Sequence, residues 1–204
     1  MVLFMIPTAL LPAIEPSHIS WEEVETLSPR DIDREVGELF APLRGPKAGN
    51  SVESYLIRFE SSYPDGEPAT ITAQLFLPIV PLEDLEIAYV FAPGTTGLLD
   101  ACRPSREHVA GIRWGLYRAH VLGFAGQGVV GILPDYTGFG DQQRLQPIYD
   151  AVAEGRMMLD TVRALHRFLE DRGKELEGKT FRSSRALSVF LAGFSQGGHA
   201  AFAA

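Results

Sequence analysis

A serine stands at the centre of a Gly-x-Ser-x-Gly pattern close to the end of the chain, at residues 193–197. An apolar run precedes the pattern, and small residues that favour a helix follow it. This order predicts a strand, a sharp turn and a helix, and a serine at such a turn has a strained backbone that exposes its hydroxyl. Gly193 and Gly197 are small enough for neighbouring backbone to come close. The pattern predicts Ser195 as the nucleophile of an acyl-transfer reaction, and its flanking elements disfavour an ordinary glycine-rich loop.

Ester hydrolysis through a serine passes through a tetrahedral intermediate, whose negative oxygen needs hydrogen-bond donors already in place. We expect the backbone N–H of Gln196, the residue after the nucleophile, to be one donor. The loop at residues 93–97, which reads Pro-Gly-Thr-Thr-Gly and follows an upstream apolar strand, is expected to supply the other. Thr95 would present its N–H, with Thr96 as the alternative donor, and Gly94 would let the substrate approach. A plain strand-to-loop turn would use the same glycines.

A serine hydroxyl is a weak nucleophile unless a base takes its proton. In enzymes whose nucleophilic serine lies in such a Gly-x-Ser-x-Gly turn, the catalytic acid and the catalytic histidine follow the serine in the chain. The sequence ends at Ala204. We therefore expect the catalytic Asp and His in sequence beyond residue 204, and we expect the 204-residue chain alone to be inactive and poorly stable, with an unpaired sheet edge beside the serine strand.

Other residues near the expected site are interpreted as structural or as pocket residues. Asp135 ends a buried strand. Because the catalytic acid is expected after the serine in the chain, we interpret Asp135 as a turn-forming residue rather than as the catalytic acid. Tyr136, the next residue, is expected to line the acyl pocket. His199 lies one helical turn after Ser195, so we expect it beneath the serine, packed or hydrogen-bonded, rather than beside the hydroxyl as the base.

The remaining candidates carry no chemistry of their own. His108, His120 and His166 precede the serine, in segments expected to be loop or helix, and none has a metal-ligand spacing with a second His or a Cys, so we predict no metal. Cys102 is expected to be a buried or disulfide-capable structural residue. A single cysteine excludes an internal disulfide.

The composition limits the classes of partner. The chain has 18 Lys and Arg against 26 Asp and Glu, a net charge of −8, so neither nucleic-acid binding nor binding to an anionic membrane is expected. No apolar run approaches the roughly 18 residues of a membrane span, so stable membrane insertion is not expected. The first thirteen residues are apolar but lack an early Lys or Arg and contain Pro7, which favours an ordered N-terminal arm over a signal peptide.

Residues 1–50 read as an arm with short helices and a linker. Ser20 and Glu23 form a capping-box pattern that predicts one helix start, and Ser28 with Pro29 predicts a second. Residues 41–50 contain Pro, Gly and Lys and read as the linker.

Residues 51–204 read as the N-terminal portion of an α/β domain that ends just after the serine turn, the C-terminal part of the fold being absent. Two alternating runs around a Pro-Asp-Gly turn predict an antiparallel hairpin, and apolar strands separated by helices predict a parallel sheet with helices on both faces. The predicted elements are strands at 51–60, 70–77, 87–92, 129–133 and 187–192 and helices at 114–123 and 147–171.

These motifs together resemble the secretory lipase family of α/β-hydrolases, which includes relatives of fungal lipase A and bacterial esterases. The resemblance rests on Pro-Gly-Thr-Thr-Gly at 93–97, Cys-Arg-Pro-Ser at 102–105, Pro-Asp-Tyr-Thr-Gly-Phe-Gly at 134–140 and the serine pattern. It implies a cofactor-free carboxylic ester hydrolase that forms an acyl-enzyme on Ser195, acts on a small-molecule ester or a lipid, and is secreted or periplasmic. It also implies a C-terminal segment, or a second chain, that completes the fold.

Two other interpretations remain open. An acyl-protein thioesterase or small carboxylesterase shares the Gly-Phe-Ser-Gln-Gly-Gly sequence, although the long segment before Ser195 disfavours it. A catalytically silent or truncated α/β-hydrolase-like domain that only binds is the second. A downstream Asp and His, in the same or another polypeptide, would separate these interpretations.

Overall fold

The computed structural model describes residues 2–6, 18–40, 45–108, 115–177 and 187–204. Its strands are β1 (Val2–Ile6), β2 (Ile19–Leu27), β3 (Val52–Ser62), β4 (Pro68–Pro78), β5 (Ile87–Ala92), β6 (Val130–Pro134) and β7 (Ser188–Gly193). Its α-helices are α1 (Pro29–Phe40), α2 (Leu116–Ala125), α3 (Ala151–Glu177) and α4 (Gln196–Ala203).

The strands of the described residues form one seven-stranded sheet in the order β1-β7-β5-β6-β4-β3-β2. Strand β5 is parallel to β6 on one side and to β7 on the other. The hairpin of β3 and β4 is antiparallel and joins the sheet through an antiparallel pairing of β4 with β6. Parallel neighbours need long connections, and α2 and α3 lie in those connections. The predicted hairpin leading into a parallel sheet is confirmed.

Alternate residues of each central strand pack on opposite sides of the sheet. In β5, Val90 belongs to a core cluster that includes Leu165 of α3. Its neighbour Phe91 belongs to a second cluster that includes Leu122 of α2 and Ile32 of α1. Because both faces of the sheet are covered, its central strands are nearly continuous apolar runs, and the predicted α/β class is confirmed.

The order of the parallel strands fixes where the loops meet. The chain passes from β5 to β6 on one side and then returns to β7 on the other side of β5. The loops after β5 and β7 leave the sheet at the carboxyl ends of adjacent parallel strands. In open α/β sheets this reversal of strand order forms the crevice in which ligands bind.

The capping-box prediction at residues 20–23 is wrong, since these residues lie in β2. The strand pairs antiparallel with β3, with a register shift between Glu23 and Glu25. The ring of Trp21 packs edge-on against Phe168 of α3, with centroids 5.5 Å apart, while Ser20 beside it is exposed. This two-residue alternation and the pairing with β3 outweigh the local helix-start signal.

The second helix start, at Ser28, is confirmed. The Ser28 hydroxyl accepts a hydrogen bond from the N–H of Asp31 at 3.3 Å, and the Ser28 N–H donates to the Asp31 carboxylate at 3.2 Å. This reciprocal pair caps α1, with Pro29 as its first residue.

The two later helices form as predicted, with shifted ends. Helix α2 begins at Leu116, and Trp114, in the predicted start, lies outside the described residues. Helix α3 begins after Asp150, whose carboxylate accepts the N–H of Ala153 at 2.9 Å. It continues past Gly173, because that glycine is buried and a close-packed face tolerates it.

The edge of the sheet beside the serine strand is paired, contrary to the expectation of an unpaired edge. Strand β1 runs antiparallel to β7, from Val2 opposite Gly193 to Ile6 opposite Val189. The pairing strand comes from the first residues of the chain, which were not predicted to form a strand. Residues 7–17 lie outside the described residues, and the ordered N-terminal arm stays a prediction there.

Candidate active site

Ser195 lies at the junction of β7 and α4 with a strained backbone. Its φ is 52° and its ψ is −116°, and its side chain is exposed. Among the described residues it shares a positive φ outside glycine only with Tyr149. A non-glycine residue keeps such a conformation only where its surroundings enforce it, and such strain concentrates at functional sites.

The two glycines of the serine pattern are required by close packing. A Cβ atom on Gly193 would lie 2.0 Å from the carbonyl oxygen of Gly197, and a Cβ atom on Gly197 would lie 1.8 Å from the carbonyl oxygen of Ala92. The start of α4 therefore rests directly on the ends of β7 and β5. This contact holds the turn in its tight shape and turns Ser195 outward.

The loop after β5 is joined to the serine turn by a side-chain hydrogen bond. The Thr95 hydroxyl donates to Oε1 of Gln196 at 2.9 Å. Gly94 leaves no room for a side chain there, since a Cβ atom would lie 2.6 Å from the hydroxyl of Tyr117 and 3.1 Å from the ring of Phe194. The structure thus places Gly94 and Thr95 beside the turn that carries Ser195 and Gln196.

The backbone N–H groups of Thr95 and Gln196 form no hydrogen bond with the part of the chain that the structure describes. At the start of α4 the bonded amides begin with Gly197, which donates to the carbonyl of Phe194 at 2.8 Å. The first N–H groups of a helix have no partner within it and favour negative charge. These two amides are chemically able to stabilise an oxyanion beside Ser195.

Thr96, within the loop, and Tyr136, which contacts the start of the loop, are both buried. Thr96 is buried, and its hydroxyl has no hydrogen-bond partner among the described residues. The Tyr136 hydroxyl donates to the carbonyl oxygen of Pro93 at 2.5 Å, and burial raises the pKa of Tyr136 well above its ordinary value. Tyr136 therefore supports the start of the loop from below.

A buried carboxylate below the serine turn is the main feature of the site that the sequence did not predict. Glu154 of α3 accepts Nε2 of Gln196 at 2.8 Å, Nδ1 of His199 at 2.5 Å and the N–H of Tyr149 at 2.9 Å. His199 is thus hydrogen-bonded, in agreement with the expectation for it. The signal in the sequence was an acidic residue on the apolar face of a long amphipathic helix.

No protein-family model and no curated protein sequence matches the chain. Solved structures do match it. The rice cell wall degrading esterase LipA from Xanthomonas oryzae superposes with a TM-score of 0.66 and 22% identity, covering 90% of this chain and 43% of that chain. Candida antarctica lipase A superposes with a TM-score of 0.56 and 17% identity, covering 97% of this chain and 39% of that chain. This chain has an α/β-hydrolase fold.

The resemblance to the lipase A relatives and bacterial esterases is confirmed at the level of the fold. The chain spans less than half the length of each of these two structures. The serine pattern lies in the turn between β7 and α4, the order of strand, turn and helix that the motif requires.

Asp135 is a buried structural carboxyl. It accepts the N–H and the hydroxyl of Ser105, each at 2.7 Å, and its own N–H donates to the carbonyl of Thr72 at 2.8 Å. Burial raises the pKa of Asp135 to about 7. Its partner is therefore the 102–105 segment rather than its own glycine-rich turn, and the two family motifs are in direct contact.

The other histidines and the cysteine lie in separate places. His120 is within 3.0 Å of the Tyr89 hydroxyl, and burial lowers the pKa of both His120 and His166. Cys102 is a free, partly buried thiol that packs against Gly97. Over the described ranges, no three His, Cys, Asp or Glu side chains are grouped to hold a metal, and no helix is long and apolar enough to cross a membrane.

Proposed function

We propose that this chain is part of a serine-dependent carboxylic ester hydrolase that forms an acyl-enzyme on Ser195. The observation that carries the proposal is the positive φ of Ser195 at the end of β7, next to a loop that is hydrogen-bonded to the residue after it. The fold shared with esterase and lipase structures supports it.

In the proposed reaction the Ser195 oxygen attacks the ester carbonyl and its proton passes to a base. The N–H groups of Thr95 and Gln196 stabilise the oxyanion of the tetrahedral intermediate, which collapses with loss of the alcohol. Water then attacks the acyl-enzyme in the same way and releases the acid. The free amides of Thr95 and Gln196 support this assignment, and the partnership of Thr95 with Gln196 favours Thr95 over Thr96.

The base and its supporting acid belong to the C-terminal part of the proposed enzyme. In α/β-hydrolases the acid and the histidine follow the serine in the chain. We propose that both come from polypeptide beyond residue 204, in the same chain or in a second one. His199 is engaged with Glu154, which supports the view that it is not the base.

The proposed substrate is a small-molecule ester or a lipid. The resemblance to the secretory lipase family also suggests that the proposed enzyme breaks down lipids outside the cytoplasm. Gly94 would line the point where the ester carbonyl enters, because its missing side chain leaves the loop close to Phe194. Tyr136 would act from below, by fixing Pro93 at the base of the pocket.

The experiment is hydrolysis of p-nitrophenyl esters of increasing acyl length by the chain joined to, or mixed with, the polypeptide that supplies the histidine and the acid. Ser195→Ala is expected to remove turnover, and Ser188→Ala, on the same strand, is expected to retain it. The 204-residue chain alone is expected to show no Ser195-dependent turnover. Equal rates for the wild type and Ser195→Ala would contradict the proposal.

A further inference from the structure

Three side chains connect the loop after β5 to helix α3 through the start of α4. The Thr95 hydroxyl donates to Oε1 of Gln196 at 2.9 Å, and Nε2 of Gln196 donates to Oε1 of Glu154 at 2.8 Å. Gln196 is fully buried and Glu154 is 2% exposed. Water therefore does not compete for the inner two members of this connection.

The chemistry of Glu154 decides the direction of both hydrogen bonds. Oε1 of Glu154 already accepts the N–H of Tyr149, so Gln196 presents its NH₂ group to that oxygen and its carbonyl oxygen to the loop. Thr95 must then donate its hydroxyl proton. A side-chain amide can point either way by itself, and here the carboxylate selects one orientation.

Glu154 is itself held in place from two sides. The N–H of Tyr149, a residue with a φ of 58°, donates to Oε1 at 2.9 Å, and Nδ1 of His199 bonds Oε2 at 2.5 Å. The ring of Tyr149 packs edge-on against His199, with centroids 5.4 Å apart. The strained backbone at Tyr149 and the histidine in the nucleophile helix thus serve to fix one buried carboxylate.

We propose that Glu154 is a positioning residue that sets the distance between the loop at 93–97 and the nucleophile turn by orienting the Gln196 amide. This inference rests on the proposed function, because it explains how the two oxyanion donors, the N–H groups of Thr95 and Gln196, are held ready as a pair. Glu154 touches neither substrate nor reacting atoms and acts only through Gln196. Donors fixed before the reaction need no reorganisation as charge develops on the oxygen.

The test is the backbone order parameter of the Thr95 N–H, measured by ¹⁵N relaxation on the 204-residue chain. Rigid backbone gives about 0.85 and flexible backbone falls below about 0.6. The wild type is expected near the first value and Glu154→Ala below the second. Glu154→Gln keeps an acceptor for Gln196 and is expected to remain near the wild type. Glu175→Ala, an exposed acidic residue on the same helix, is the matched control and is expected to change nothing.

Gln196→Met separates orientation from packing. Methionine is close to glutamine in length and volume but has no NH₂ group, so position 196 no longer donates to Glu154. The Thr95 order parameter is expected to fall as in Glu154→Ala, and urea unfolding checks that the variant stays folded. Unchanged order at Thr95 in both Glu154→Ala and Gln196→Met would overturn the inference. So would equal losses in Glu154→Gln and Glu154→Ala.

Turnover of p-nitrophenyl esters by the completed protein provides the second readout. Glu154→Ala is expected to lower kcat about tenfold with KM unchanged, because the donors act on the transition state. A loosened Thr95 together with full activity of Ser195→Ala would reject the proposed function and leave the positioning of the loop established. If Glu154→Ala lowers the order parameter of Thr95 but leaves kcat unchanged, in an enzyme whose turnover requires Ser195, then the positioning by Glu154 does not contribute to catalysis.

Discussion

The Cα atom of Gly197 lies against the carbonyl oxygen of Ala92 so closely that a methyl group at position 197 would stand 1.8 Å from that oxygen. The first turn of α4 is therefore packed on the end of β5, the strand whose loop carries Thr95. The serine turn and the proposed oxyanion loop share this backbone contact, and the hydrogen bond of Thr95 to Gln196 lies beside it.

Gly197→Ala is expected to destabilise the chain by about 3 kcal/mol or more, since the clash is with backbone that cannot rotate away. Gly198→Ala is the matched control. A Cβ atom there would have its nearest neighbour at 3.7 Å, and alanine favours the helix over glycine. Urea unfolding should therefore show a loss for the first variant and little change, or a small gain, for the second. Equal effects of the two would show that the packing of α4 on β5 is looser than described.

Two buried carboxyls are expected to make the chain less stable as the pH rises. Burial raises the pKa of Asp135 from its ordinary 3.8 to about 7, and burial raises that of Glu107 from 4.5 to about 7. The folded state therefore holds these protons more tightly than the unfolded state does. The stability that each group contributes is present below its unfolded pKa and is lost as the pH rises through about 7. Between pH 6 and 8 the free energy of unfolding should fall by about 1 kcal/mol for each group.

Asp135→Asn removes one of the two carboxyl groups whose titration makes the free energy of unfolding depend on pH. Urea unfolding at pH 6 and pH 8 should show a pH dependence about half as steep as that of the wild type, because Glu107 still titrates. The asparagine can keep the acceptor for the Ser105 N–H. A slope unchanged by the substitution, or stability that increases between pH 6 and 8 in the wild type, would contradict the assignment.

Arg118 of α2 joins β2 and α1 to β4. Its buried guanidinium donates to Glu35 at 2.7 Å, to Glu25 at 2.7 Å and to Gln74 at 2.8 Å. Removing one member of a buried ion pair leaves an uncompensated charge, so Arg118→Met is expected to cost about 3–5 kcal/mol.

The control for Arg118 is the exposed ion pair of Arg34 with Asp31, in which Arg34→Ala should cost less than about 1 kcal/mol. The measurement is chemical unfolding of both variants beside the wild type. If Arg118→Met lowers the free energy of unfolding no more than Arg34→Ala does, then β2 and α1 are held on the sheet without these hydrogen bonds.

Local signals predicted the part of the molecule in which local chemistry decides the structure. The strained backbone at Ser195, the hairpin and the cap at Ser28 all follow from residue types within a few positions. The strand at residues 19–27 did not follow, because its pairing with β3 depends on partners more than twenty positions away. Glu154 was missed for a similar reason, since its three donors come from α4 and the turn before α3. A sequence can show that an acidic residue lies on the apolar face of a helix, but it does not show which hydrogen-bond donors contact that residue.

The most direct test of the central claim is covalent trapping of the nucleophile. The chain, together with the polypeptide that supplies the histidine and the acid, is treated with diethyl p-nitrophenyl phosphate, and the released p-nitrophenol and the labelled peptide are measured. The account predicts about one equivalent of p-nitrophenol, a diethylphosphoryl group on Ser195 and no label in Ser195→Ala. A label on another residue, or the same release from Ser195→Ala, would contradict the assignment of Ser195 as the nucleophile.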